Sequence, residues 1–275
     1  MSLGDGNNLK PAKQICLELA DFLGWASVEL IELGGVSDWL FLAGGIVNVK
    51  HDLPAYEDSF PYCGMAYDWN EARNKILPKF IQELVIFNFI WSGLECFIDS
   101  VELSRDEASP GKIAGARKYL NENFDRKDVF PLYKESLDAL IHTLKESPYF
   151  HSSFDNMDTK DVLSQGEALG IIYKIRNKFA HGSLAMPVPQ EDDNDGDYIV
   201  PEEHEYPKLI NLCSILLLMS IQMLVYIYVR EVRLEKAEDM SEYKEMDIYS
   251  FLRQVHLKNS SLKQLNFKDF FRNIE

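Results

Sequence analysis

The 275-residue sequence lacks the short motifs that mark several common enzyme classes. It contains no HExxH metal motif, no GxSxG nucleophile elbow, no Walker phosphate-binding loop and no GxGxxG dinucleotide fingerprint. Its histidines show no metal-ligand spacing. These absences argue against a zinc protease, a serine hydrolase, a nucleotide hydrolase and a dehydrogenase, and we expect no cofactor and no metal.

Cysteine is scarce, and the four residues present are far apart: Cys16, Cys63, Cys96 and Cys213. Because no CxxC pair exists, a zinc ribbon and a thioredoxin-type redox motif are excluded. The N-terminal stretch, MSLGDGNNLKPAK, has no apolar core of the kind found in signal peptides. We therefore expect a cytoplasmic protein with free thiols.

Positive charge is also in short supply. The chain carries 28 Lys and Arg against 44 Asp and Glu, a formal net charge of -16. Such a surface repels polyanions, so binding to nucleic acid or to an anionic membrane would need a local basic site. The length of 275 residues predicts one or two domains, and the 46% hydrophobic content is enough to form a core.

The N-terminal part, residues 1–76, is predicted to be a small α+β segment of unknown role. Apolar residues at helical spacing predict a helix over 8–23. In 27–51, two Gly-Gly pairs separate short apolar runs, which indicates three strands joined by turns, with glycine-broken helix fragments as the alternative. Residues 53–70 are predicted to form an irregular connection.

The remainder, residues 77–275, is predicted to be an all-helical domain, which makes the fold class mainly α. An acidic loop at 187–206 interrupts it. The predicted helices cover 79–103, 112–125, 131–146, 162–181, 207–236 and 241–257.

The segment 209–229 contains 21 residues without a charge, long enough to span a bilayer. Asn211, Ser214, Ser220 and Gln222 lie within it and would be poorly satisfied on a lone helix facing lipid. We therefore expect a buried core helix and no membrane span.

A basic island lies at 171–182, with the sequence IIYKIRNKFAHG. Lys174, Arg176 and Lys178 stand in a window, 168–190, that contains no Asp or Glu. Such an island in an acidic chain is a candidate phosphate-binding site. On an ideal helix Arg176 lies about 140° from His181, on the shoulder of the apolar face.

Arg176, Asn177 and His181, in the order RNKFAH, resemble the R-x4-H motif of HEPN domains at the end of an apolar helix. The context is similar too, with the aromatic-rich WSGLE of 91–95 on an earlier helix and a long apolar helix afterwards. The resemblance covers roughly residues 77–240.

The resemblance implies a metal-independent endoribonuclease that acts as a homodimer on RNA, in a toxin–antitoxin or anti-phage setting with a possible antitoxin partner. His181 would be the acid/base, since histidine titrates near neutral pH. Arg176 would stabilise charge on the phosphate oxygens, and Asn177 would add a polar contact. Lys174 and Lys178 would bind substrate.

Glu95 is a further candidate substrate-site residue. Together with Asn88, Asp99 and Glu102 it forms one polar stripe on its predicted helix, from which it could orient His181 or pair with Arg176. The alternative is a solvated or interface-facing stripe. For the whole motif, one alternative is an ordinary helix end, because a cation before glycine is common there. The resemblance implies a second alternative, a non-catalytic HEPN-like binding or scaffolding module.

The acidic loop imitates a calcium-binding EF-hand loop over 191–202, with glycine at its sixth position. Its first position is Glu191 rather than Asp, and Pro187 and Pro189 replace the entering helix. We expect an acidic loop without specific calcium binding. Residues 191–205 hold eight acids and no Lys or Arg, so the loop could screen the basic site from unspecific RNA.

Overall fold

The computed structural model shows a mainly α-helical protein, which confirms the predicted fold class. It describes residues 8–28, 30–50, 64–103, 111–124, 130–147, 150, 164–183, 186–191, 198–199, 205–236 and 242–258. The α-helices are α1 (Ala12–Ala26), α2 (Gly34–Gly45), α3 (Gly64–Ser100), α4 (Lys112–Asn123), α5 (Tyr133–Glu146), α6 (Glu167–Ala180), α7 (Glu205–Lys236) and α8 (Glu242–Gln254). Two-residue strands, β1 (Gln190–Glu191) and β2 (Tyr198–Ile199), pair antiparallel.

The strands predicted at 27–51 are wrong. In the described part of this segment, a 3-10 turn at Ile31–Leu33 leads directly into α2, and residues 46–50 have no regular secondary structure. Neither Gly-Gly pair forms a turn, because one begins α2 and the other ends it. The N-terminal segment is therefore helical where it is described, and the helical alternative accounts for it.

Helix α3 is longer than predicted. It begins at Gly64, inside the segment expected to be irregular, and continues through Pro78. Proline inside a helix removes one backbone hydrogen bond but does not prevent the helix when tertiary contacts hold both sides. Here Ile76, Leu77 and Phe80 are all buried around the proline.

Helix α7 is the centre of the core. It packs against α1, α3, α4, α5, α6 and α8, and its apolar residues from Leu209 to Val225 are all buried. Both α3 and α7 are long and apolar enough to cross a membrane, but 89% of the apolar window in α7 is buried within the fold. That burial accounts for the charge-free run at 209–229 as a core helix.

The two ends of the described chain are paired with each other. Leu9 and Leu257 form an isolated antiparallel bridge, flanked by backbone hydrogen bonds that join residue 10 to 256 and residue 258 to 8. The buried Lys10 ammonium contacts Glu18 at 2.5 Å and donates to the Val255 carbonyl at 2.9 Å. This junction fixes the end of α8 against the start of α1.

His256 lies at the same junction and is fully buried. Its Nε2 lies 2.8 Å from the Pro131 carbonyl oxygen, and its Nδ1 lies 2.9 Å from Oε1 of Gln222. Burial lowers the pKa of the imidazole from 6.5 to about 4, despite the hydrogen bond to Pro131. The ring is therefore neutral at physiological pH.

Candidate functional site

Helix α6, which carries the basic island, is anchored at its start by α4. Arg117 donates from Nε to the Gly166 carbonyl at 3.1 Å and pairs with Glu167 at 3.2 Å. The Gly166 N–H in turn donates to Oδ1 of Asn121 at 2.9 Å. These contacts satisfy backbone groups at a helix start that has no side-chain cap of its own.

The end of α6 is a Schellman motif. His181 is the C-cap, Gly182 adopts a left-handed φ of 61°, and the N–H groups of Gly182 and Ser183 donate to the carbonyls of Phe179 and Lys178. The positive φ explains why glycine follows the histidine. The chain therefore leaves the helix at His181, whose side chain is exposed.

The apolar face of α6 is buried as the periodicity predicts. Ala168, Ile172 and Ile175 are inaccessible to solvent or nearly so. Near the end of the helix, the Phe179 ring packs against Phe80 of α3 and Tyr206 of α7, with centroids 6.1 and 6.2 Å away. This aromatic cluster holds the last turn of α6, and with it the base of His181, against two long helices.

Arg176 lies at the contact between α6 and α3. Its Cζ is 5.7 Å from the centroid of the Trp91 ring, which is the geometry of a cation–π contact. Among the described residues, its buried Nε has no hydrogen-bond partner, and its Nη1 makes a long 3.5 Å contact with Oδ1 of Asn177. Within the described residues no carboxylate pairs with this guanidinium.

Glu95 contacts the tryptophan rather than the arginine. The indole Nε1–H of Trp91 donates to Oε1 of Glu95 at 2.8 Å, one turn further along α3. The contact fixes the orientation of the ring beneath Arg176. Two other residues of the predicted polar stripe have partners away from Arg176. Asp99 pairs with Lys112 at the start of α4 at 2.5 Å, and Asn88 donates to the Leu84 carbonyl within α3.

Tyr173 completes the arrangement, and sequence reasoning did not single it out. Its ring stacks on Trp91, with centroids 6.1 Å apart and planes 14° apart, and the residue is 42% exposed. Tyr173 and Arg176 are three residues apart, so they lie on the same side of α6. This three-residue spacing is the only feature of the sequence that connects Tyr173 with Arg176. It becomes informative only when Trp91 is known to contact the same side of α6.

The other predicted site residues lie along the outer side of α6. Lys174 is exposed, Asn177 and Lys178 are partly exposed, and His181 is exposed at the end of the helix. The structure thus brings Arg176, Glu95 and Asn177 together around Trp91 or next to it. No hydrogen bond or ion pair of the described residues joins His181 to Arg176 within one chain.

The described residues contain no cluster of three or more His, Cys, Asp or Glu that could hold a metal ion. Most of the EF-hand-like stretch, namely 192–197 and 200–202, lies outside the described residues. So do Cys63 and much of the acidic loop. Cys16 and Cys213 are buried free thiols, and burial raises the pKa of Cys16 to about 12, which makes a nucleophilic role unfavourable.

No family model, curated protein or solved structure matches this chain. The residues of α3 and α6, and the motif at the end of α6, are therefore the features that bear on function.

Proposed function

We propose that the protein is a metal-independent endoribonuclease of HEPN type, with Arg176 and His181 as its catalytic residues. The observation that supports this most directly is the state of Arg176. Its guanidinium is held against the Trp91 ring, carries a buried Nε without a partner, and meets no carboxylate among the described residues. A guanidinium N–H that is removed from water without an acceptor is unfavourable, and the oxygen of a bound phosphate would supply that acceptor.

The chemistry suits these two side chains. The imidazole of His181 takes the proton from a ribose 2′-hydroxyl, and the 2′-oxygen then attacks the adjacent phosphorus. The bond to the 5′-oxygen breaks, and that oxygen leaves with a proton given by a general acid. The products are a 2′,3′-cyclic phosphate and a 5′-hydroxyl. Arg176 donates to the phosphate oxygens as their negative charge grows, while Asn177, Lys174 and Lys178 bind the backbone.

A homodimer would supply the second proton-transfer group. One imidazole acts as base on the 2′-hydroxyl, and His181 of the partner subunit acts as acid on the leaving oxygen. We propose RNA as the substrate, a cytoplasmic location, a role as a toxin or anti-phage effector, and an antitoxin protein as a possible further partner. The motif resemblance supports each of these, and the exposed position of His181 at the end of α6 leaves it accessible to a second chain.

The test is RNA cleavage by the purified full chain in excess EDTA. We expect wild type to cleave, and His181→Ala and Arg176→Ala to lose at least about 100-fold in rate, as removal of an acid/base or of a charge-stabilising donor does. His142→Ala is the matched control, since that exposed histidine lies on α5 beside Glu146 and outside the site. Cleavage that persists equally in His181→Ala would overturn the assignment.

A non-catalytic RNA-binding module is the second candidate. One observation favours it: within a chain, no described contact joins Arg176 to His181, and His181 already has a structural role as the C-cap of α6. In that case wild type would bind RNA without cleaving it, and Arg176→Ala would weaken binding while His181→Ala would not.

A further inference from the structure

The Tyr173 ring is stacked on one side and open on the other. One face packs on Trp91 at 6.1 Å between centroids, and 42% of the residue remains exposed. Trp91 itself is only 2% exposed and is tied to Glu95 by its indole N–H. The tyrosine ring is therefore an aromatic surface fixed before any ligand arrives, which lowers the entropy lost on binding.

The position of this ring relative to Arg176 sets what it can bind. The two residues are three apart on α6, a separation of about 4.5 Å along the helix axis. Both contact the same Trp91 ring, the arginine through its guanidinium at 5.7 Å. A nucleotide whose phosphate is bound by Arg176 can therefore place its own base, or the base of the next nucleotide, within reach of Tyr173.

We infer that Tyr173 stacks on a nucleobase next to the phosphate bound by Arg176, and so selects RNA that is unpaired at that position. This inference rests on the proposed function for its substrate. A base inside a duplex is stacked between its neighbours and cannot lie flat on a side chain, whereas every unpaired base has a free face. Tyr173 is thus a specificity-determining residue rather than a catalytic one.

The experiment measures binding separately from cleavage. The probe is a fluorescent single-stranded oligoribonucleotide with 2′-O-methyl riboses, which cannot undergo attack by a 2′-hydroxyl. Its Kd is measured for wild type, Tyr173→Phe, Tyr173→Ala and a matched control, Tyr67→Ala. Tyr67 is also an exposed tyrosine, 54% accessible, but it lies 24 residues before Trp91 on α3, about 36 Å along the helix.

We expect Tyr173→Ala to raise the Kd about tenfold, as the loss of one base–aromatic stack does, and Tyr173→Phe and Tyr67→Ala to leave it within about twofold of wild type. A second series keeps the wild-type protein and moves a single abasic nucleotide along the probe. At one position, the abasic nucleotide should raise the Kd of wild type by the same factor of about ten. At that position it should leave the Kd of Tyr173→Ala unchanged. The wild-type half of this series does not depend on the folding of any variant.

Equal Kd values for wild type and Tyr173→Ala, or an abasic series with no sensitive position, would overturn the inference. Tight binding of a fully paired duplex by wild type would do the same. The proposed ribonuclease activity is overturned separately. This is the outcome if natural RNA of the same sequence stays intact in EDTA while the Tyr173 substitutions still change binding. Binding that is lost in Arg176→Ala but not in Tyr173→Ala would support the phosphate site and overturn the stacking role.

Discussion

The guanidinium of Arg176 lies over the ring of Trp91, with Cζ 5.7 Å from the ring centroid, although the two residues are 85 positions apart in the chain. The indole N–H of the same tryptophan donates to Glu95. An acceptor on the indole N–H places more electron density on the ring and so strengthens its attraction for a cation. Glu95 therefore acts on Arg176 through Trp91, without a direct ion pair among the described contacts.

Substitution of Trp91 tests this relationship. Trp91→Phe keeps an aromatic face beneath Arg176, whereas Trp91→Leu removes it, and both lose the hydrogen bond to Glu95. Because a cation–π contact contributes about 0.5–2 kcal/mol, we expect Trp91→Leu to cleave RNA about two- to thirtyfold more slowly than Trp91→Phe. The measurement is the initial rate in EDTA, at a temperature where circular dichroism shows both variants folded.

Trp69 offers a matched control for that comparison. Arg73 lies over its ring at 5.2 Å, also on α3 but outside the site, so Trp69→Leu and Trp69→Phe should cleave at similar rates. Equal rates for Trp91→Phe and Trp91→Leu would show that the ring does not act through the cation.

His256 should make stability depend on pH. Its pKa is lowered to about 4 in the folded chain from an ordinary 6.5, so the unfolded chain binds the proton more tightly between these values. Stability is thus lost as the pH falls through this window, by about 2 kcal/mol between pH 7 and pH 4.5.

The measurement for His256 is urea denaturation of wild type and His256→Gln at both pH values. Carboxylates contribute to both proteins and cancel in the comparison, so the free energy of unfolding of wild type should fall further than that of the variant. An identical pH dependence for the two proteins would mean that the buried ring is not the group that titrates.

Two glycines should respond differently to alanine. A Cβ at Gly166 would lie 2.7 Å from the Arg117 carbonyl oxygen, a backbone atom that cannot move away without disturbing α4. We expect Gly166→Ala to lower the free energy of unfolding by about 1–3 kcal/mol. At Gly45, the last residue of α2, nothing lies within 4 Å of the new Cβ, and alanine should be neutral or stabilise by up to about 1 kcal/mol.

Denaturant titrations at pH 7 compare the two variants. If Gly166→Ala were as stable as Gly45→Ala, the close contact between α4 and the start of α6 would not require glycine at position 166.

Most helices were predictable because their apolar residues recur at a period near 3.6. Ile15, Leu19 and Phe22 define α1 by this pattern, and all three are buried. The failure at 27–51 has a specific cause. A Cβ at Gly35 would lie 2.8 Å from Sγ of Cys96, and one at Gly44 would lie 2.6 Å from Cγ of Leu17. These glycines permit close packing of α2 on α3 and α1, a tertiary requirement that looks like a turn signal in the sequence.

The site was predictable only in part, for the same reason. Arg176 and His181 carry a local motif, and the end of α6 at Gly182 follows from local backbone chemistry. The contacts of Trp91 with Arg176 and Tyr173 depend on the rotation of α6 against α3. No local pattern encodes that rotation, so the role of Tyr173 and the actual partner of Glu95 emerge only from the packed structure.

The chemical ends of the RNA fragments test the central claim most directly. Mass spectrometry of fragments formed by wild type in excess EDTA should show 2′,3′-cyclic phosphates and 5′-hydroxyls, with none formed by His181→Ala. A 2′-deoxy substitution at the cleaved nucleotide should abolish the cut. Fragments with 3′-hydroxyl and 5′-phosphate ends, or cyclic phosphates formed equally by His181→Ala, would contradict the account.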